Sequence, residues 1–342
     1  MKVLVTGGTG FVGSHGIEAL RAAGDSVRAL VRPTGDRSFL AQLGAEPVVG
    51  QLEDEESLRR ACAGCEAVYH AAARVEIVGN YRDFHETTVA GTQRLVDAAI
   101  AAGVRRFVYV SSCGVYHPRL LTAGVIYEDT PTPPPPRWFL YGRTKLAAED
   151  VVRGCVRPPA EWVVVRLGYI YGPRNRTMHR YLRPLLTRYP LMLIGDGENE
   201  MAMLYVADAA RAIVAAGRTP AAGGRTLIAA GQERVTQRDY LNAMADGFGV
   251  PRPRRCLPYR LAYASAWLGE WIGRLGLADG AVLMNRSAVA LTGLPQRIDG
   301  SRTRRLLGWS PQVRFADGIR EAFDWYYREY SPGGLAPATS GQ

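Results

Sequence analysis

TGGTGFVG, Thr6 to Gly13, sits between the apolar run KVLV (Lys2–Val5) and a segment where Val12, Ile17 and Leu20 share one helical side. That is strand, tight turn, helix. Glycines permit the turn and let backbone N–H groups approach a pyrophosphate at the helix N-terminus. The spacing is GxxGxxG (Gly7, Gly10, Gly13) rather than GxGxxG. An ordinary glycine-rich turn is the bland alternative, and the position at the first strand-to-helix junction argues against it.

Working outward, further strand candidates are Ser26–Val31, Pro47–Gly50, Ala67–His70, Phe107–Ser111, Trp162–Arg166 and Thr226–Ala229. Helical patterns separate the early ones, which implies a parallel, doubly wound α/β sheet. Ligands bind at the carboxyl ends of such strands, where Gly7, His70, Ser111 and Ser112 fall. The second strand ends in Val31-Arg32, with Arg37 close behind and no acid in the expected place. An acid there would bind the ribose hydroxyls of NAD, whereas arginine accommodates the extra phosphate of NADP. The expected cofactor is therefore NADP(H) in preference to NAD(H).

Tyr141 and Lys145, in YGRTK, are one helical turn apart on a shared face. A free tyrosine is a poor base near neutrality, and a nearby ammonium lowers its pKa. The pair is therefore expected to act as a tuned acid/base. Ser112, in VSSCGVY, ends a strand, and its hydroxyl can bond a substrate oxygen.

TGGTGFVG, VYHAAA (Val68–Ala73), VSSCGVY, YGRTK, RLGYIYGP (Arg166–Pro173), YVADAARA (Tyr205–Ala212) and LGWSPQVRFADGI (Leu307–Ile319) follow one another in a familiar order. The chain resembles an extended short-chain dehydrogenase/reductase along nearly its whole length, within the 3β-hydroxysteroid dehydrogenase and dihydroflavonol reductase branch. The resemblance implies a Rossmann-type doubly wound sheet with a smaller, interleaved C-terminal substrate domain. The division expected is 1–173 with 201–231 for the dinucleotide, 174–200 with 232–330 for the substrate, and a flexible tail over 331–342. It implies catalytic roles for Ser112, Tyr141 and Lys145, with Lys145 also holding the nicotinamide ribose. It also implies a cofactor path along Gly7, Gly10, Phe11, Val12, Gly13, Arg32, Arg37, Gln51, Leu52, Ala71, Ala72, Ala73 and Gly168. Two departures stand out: Gln51 replaces the usual aspartate near the adenine, and Thr88 replaces an asparagine before a VxGT-like segment.

Substrate choice turns on fewer residues. Sugar-nucleotide members often carry an arginine four residues before the tyrosine of the YVxD segment, because its planar fork suits phosphate. Met201 stands there instead, with Ala202, Met203 and Leu204 beside it, and Asn199 resembles the steroid-dehydrogenase version. Leu257–Gly276 places Leu261, Ala264, Leu268, Trp271, Ile272 and Leu275 at helical spacing. It reads as a lid, as core packing or as a membrane contact. It is too short and too charged to span a bilayer. The proline run Pro131–Pro136 stiffens the approach to Trp138, which with Cys113, Tyr169, Arg174 and Met201 is a candidate substrate contact. Arg174, Asn175, Arg176 and His179 either touch a ligand or solvate a loop.

The chain has 342 residues, 47% of them hydrophobic, and a net charge of +10. It is long enough for a large core and two subdomains. The charge favours an anionic ligand or membrane surface. Its arginines are dispersed and no nucleic-acid motif accompanies them, so no nucleic-acid partner is expected. Cys62 and Cys65 form CAGC without a second pair, and neither His15 nor His70 has metal-ligand spacing, so no metal is expected. The sequence enters its first strand at once, and the expectation is a cytoplasmic protein, peripherally membrane-associated at most; the resemblance implies a homodimer. The leading reading is an NADP-dependent oxidoreductase interconverting a ketone and a secondary alcohol on a small hydrophobic substrate, such as a steroid, terpenoid or polyketide. The alternatives are a sugar-nucleotide epimerase or dehydratase, and a non-enzymatic NADP-sensing regulator.

Overall fold

Apolar residues fill both faces of the early strands: Val3 and Val5 point to one side of the sheet and Leu4 to the other, all fully or almost fully buried. Such strands form when helices cover both faces. A computed structural model describes residues 1–75, 79–274 and 285–331 and shows this arrangement. Seven strands form one sheet: β1 (Lys2–Thr6), β2 (Ser26–Val31), β3 (Glu46–Val49), β4 (Ala67–His70), β5 (Arg106–Ser112), β6 (Glu161–Leu167) and β7 (Arg225–Ala229). Their order is β7-β6-β5-β4-β1-β2-β3, with every neighbouring pair parallel. All seven strand candidates are present, with ends displaced by a residue at most.

Helices Phe11–Ala22 and Val206–Arg218 bury Ile17, Leu20, Ala209 and Ile213 against one face. On the other, Glu55–Cys62, Gly91–Ala101 and Leu140–Cys155 bury Leu58, Leu95, Val96 and Val152. The strand order reverses between β1 and β4, which opens a crevice at their carboxyl ends. A separate core joins the C-terminal helix Phe315–Tyr330 to Gln237–Phe248 through Tyr240, Met244, Phe323 and Tyr326. The apolar helix near position 260 runs Tyr259–Arg274, after a short strand Arg255–Leu257 that pairs with Met192–Ile194. Leu275, Gly276 and the tail from 332 onward lie outside the described residues. Among the described residues no helix is long and apolar enough to cross a membrane.

Candidate active site

The glycine loop is built so that side chains are excluded. Gly7 adopts φ +72°, and a Cβ there would lie 2.8 Å from the Ala72 nitrogen. A Cβ on Gly13 would fall 2.1 Å from the Gly7 carbonyl oxygen. The Gly10 N–H donates to that same carbonyl at 2.9 Å, and Gly10 caps helix Phe11–Ala22. Backbone thus approaches backbone on the inner side, while the helix N-terminus faces a cavity of about 1900 Å³. Ligand pockets usually measure about 300–1,000 Å³, so this cavity has room for a dinucleotide and a second molecule. Gly7, Gly10, Phe11, Val12, Gly13, Arg32, Gln51, Leu52, Ala71, Ala72, Ala73, Lys145 and Gly168 all line it.

Two more polar residues stand near this end: Asp36, which sequence reading passed over, and Arg176, which it left between a ligand contact and a solvated loop. Asp36 and Arg176 line the cavity. The Asp36 carboxylate accepts from Phe39 N at 3.0 Å and Ser38 Oγ at 2.7 Å, which caps helix Arg37–Gln42 and lowers its pKa. Arg37 requires a correction. It begins that helix, is exposed, and is not among the cavity-lining residues.

A buried hydrogen-bond chain holds the wall formed by Ala71–Ala73. Ala72 N–H donates to Thr6 Oγ1 at 3.3 Å, and Thr6 Oγ1 meets His70 Nδ1 at 2.6 Å. His70 Nε2 meets Thr92 Oγ1 at 2.9 Å, and the Thr92 hydroxyl donates to Thr88 O. With the Thr92 proton committed to a carbonyl, the ring proton belongs on Nε2. Burial holds the imidazole neutral, with its pKa pulled down to about 3, so His70 is structural.

Ser112 ends β5, and its Oγ accepts from Gly114 N–H at 3.0 Å. Helix Leu140–Cys155 presents Tyr141 to the same turn. Gly142 permits the approach, since a Cβ there would sit 2.3 Å from the Gly114 carbonyl. A Cβ on Gly114 would lie 3.3 Å from Ser112 Oγ and 3.7 Å from the Tyr141 ring, so the two side chains flank one point. The expected tuning of the phenol differs in detail. Burial raises the Tyr141 pKa, opposed by a hydrogen bond with Ser112. The Lys145 ammonium donates instead to the Val110 carbonyl at 2.6 Å and stands 4.3 Å from the Tyr109 ring centroid. Its own burial lowers its pKa to about 7, opposed by Glu149. Desolvation therefore outweighs the Ser112 bond in setting the phenol, and the Tyr141 pKa lies above the ordinary tyrosine value.

Glu149, fully buried one turn beyond Lys145, anchors this region. It accepts from Ser111 Oγ at 2.6 Å, from Arg166 at 3.0 and 2.7 Å, and from Arg153 at 2.6 Å. The sequence placed Arg166 only inside a motif and left its partner unrecognised. The network fixes β5, β6 and helix Leu140–Cys155 to one another just below Ser112.

Of the substrate candidates, Cys113, Trp138, Tyr169 and Arg174 line the cavity. The Cys113 thiol is pushed up to about 12 by burial and is inert. Tyr169 meets the Tyr240 hydroxyl at 3.4 Å. Arg174 contacts both ring nitrogens of His15, and its guanidinium also pairs with Glu18, whose pKa is lowered to about 2 by the His15 hydrogen bond first and by Arg174 after it. The Arg174 charge thus ties its loop to the first helix. Met201 requires a second correction. It is 2% exposed, pairs with Val235 in a two-residue strand, and packs in the core with Tyr240 and Met244, so it does not line the cavity. Asn199 donates to Thr292 O at 2.6 Å as a loop tie.

A doubly wound sheet, a side-chain-free loop at its first turn and a Ser-Tyr-Lys set beside it define an NAD(P)-dependent enzyme. The chain belongs to the NAD dependent epimerase/dehydratase family, whose model matches residues 3–230. It is 31% identical, over 93% of this chain and 95% of the relative, to a 4-hydroxy-2-methyl-3-oxo-4-farnesyl-3,4-dihydroquinoline-1-oxide ketoreductase of Stigmatella aurantiaca. It is 29% identical to a 2-alkyl-3-oxoalkanoate reductase of Stenotrophomonas maltophilia, covering 94% and 98% of the two chains. In structure it is similar to a double mutant of a dTDP-glucose 4,6-dehydratase from Streptomyces venezuelae with NAD bound: TM-score 0.73, 28% identity, covering 96% and 98%.

Proposed function

We propose that the protein is an NADP-dependent ketoreductase acting on a hydrophobic molecule. One observation carries the reading: Ser112, Tyr141 and Lys145 line the same cavity as the glycine loop, together with Leu121, Trp138, Leu186, Leu191, Tyr240 and Leu291. The names of the ketoreductase and oxoalkanoate reductase relatives support an oily carbonyl substrate.

In this reading Gly7, Gly10 and Gly13 seat the pyrophosphate against the helix N-terminus. Arg32 receives the phosphate that distinguishes NADP, and Lys145 holds the nicotinamide ribose. The bound nicotinamide supplies or accepts the hydride. Ser112 fixes the substrate oxygen by a hydrogen bond. Tyr141, kept protonated by burial, delivers its proton to that oxygen as the carbonyl becomes an alcohol. The protonated phenol favours reduction at neutral pH, while oxidation needs the phenolate and gains with alkalinity.

Likeness to a dTDP-glucose dehydratase favours a competing sugar-nucleotide activity. The test is to offer purified protein NADPH with long-chain 3-oxo esters, and separately UDP- and dTDP-glucose. Consumption of NADPH with the esters and unchanged sugar nucleotides is expected. Isomerised or dehydrated sugar with no ester reduction would overturn the reading.

A further inference from the structure

Helix Tyr259–Arg274 packs the wrong way round for a helix on a globular surface. Ala262 and Ala266 are buried, while Leu261 is 57%, Leu268 54%, Trp271 49% and Trp267 46% exposed. At helical spacing those four large residues span an arc of about 120°. Isolated exposed apolar residues are ordinary, but four on one face make a patch that something covers. The core-packing reading of this segment is thereby excluded for Leu261, Leu268 and Trp271.

Charge indicates what covers it. Residues 251–274 contain five arginines and one glutamate. Arg254, Arg255 and Arg260 are exposed around the start of the helix. The glutamate, Glu270, is turned inward and bonded to Arg286 at 2.6 Å. Tryptophan and leucine on one face with arginines at its flank suit a helix lying in the headgroup layer of an anionic membrane. A second copy of the chain docked on this face would crowd two basic flanks together. The opposite side of the segment, at Leu257, Glu270 and Gly273, lines the cavity, so one helix separates the site from the covered face.

We propose that helix Tyr259–Arg274 docks flat on an anionic lipid bilayer and sets the cavity beside the membrane surface. Docking does not depend on the reaction proposed above, and its readout is separate from turnover. Full-length protein is co-sedimented with vesicles of phosphatidylcholine alone and with added phosphatidylglycerol. Binding is expected only with phosphatidylglycerol and weakens as salt rises. Leu268→Glu, with an unchanged thermal melt, lowers vesicle affinity by about tenfold or more. It leaves reduction of a short water-soluble ketone unaltered. A conservative Leu268→Met retains binding. Equal sedimentation of wild type and Leu268→Glu, or no sedimentation with anionic vesicles, would overturn the proposal. So would light scattering that shows a wild-type dimer split to monomers by Leu268→Glu, because a second copy would then own the face.

Discussion

In the proposed reaction Tyr141 acts as an acid because desolvation raises its pKa, and Lys145 bears the same cost in the opposite sense. A buried lysine with its pKa near 7 binds fewer protons folded than unfolded between about pH 7 and 10.5. Stability therefore rises with pH through that window. Replacing the ammonium by an isosteric apolar chain, Lys145→Met, is expected to raise Tm most at and below pH 7, with the gain shrinking toward pH 10.5, while turnover is lost. Melts across that range check the sign. At the other end of the cavity, Arg32→Ala is expected to lower kcat/KM with NADPH by about tenfold or more and to leave NADH largely unaffected, the scale of a lost bond to a charged group. Parallel steady-state assays with both cofactors decide it. The chemistry of these residues was legible from order and spacing. Their electrostatics were not, because the Lys145 partner, the Val110 carbonyl, is backbone brought in from β5.

At the scale of elements, the first turn and helix Leu140–Cys155 rely on the same device: glycine where two backbones nearly touch. Gly13 meets the Gly7 carbonyl and Gly142 meets the Gly114 carbonyl. Gly13→Ala forces the loop open and is expected to weaken dinucleotide binding by tenfold or more, about 1.4 kcal/mol or above, measured by calorimetry. Alternating apolar runs and turn glycines made the sheet readable nearly to the residue. Where that local signal failed, long-range packing had decided the outcome. Met201 was placed by alignment with a motif, yet the two-residue strand that buries it exists only by pairing with Val235. Arg37 sits within reach of β2 in sequence, but it lies exposed at the start of the next helix and off the cavity wall. The apolar stripe of Tyr259–Arg274 was visible. Its outward orientation was not, since a stripe looks alike whether protein or membrane covers it.

For the whole molecule, the buried Glu149–Arg166 pair ties β5, β6 and helix Leu140–Cys155 into one unit beneath the site. Arg166→Ala leaves a carboxylate without its main partner and is expected to cost about 3–5 kcal/mol in chemical denaturation. That network joins residues 17 apart in sequence with no motif spacing to reveal them. The central claim is that one half-buried phenol, placed at the proposed meeting of dinucleotide and oily substrate, moves the proton. Its most direct test is Tyr141→Phe, with turnover of a long-chain 3-oxo ester measured alongside NADPH affinity. The expected result is a loss in kcat of about 10²–10⁴-fold with cofactor affinity preserved. A variant that reduces the ester at the wild-type rate would contradict it.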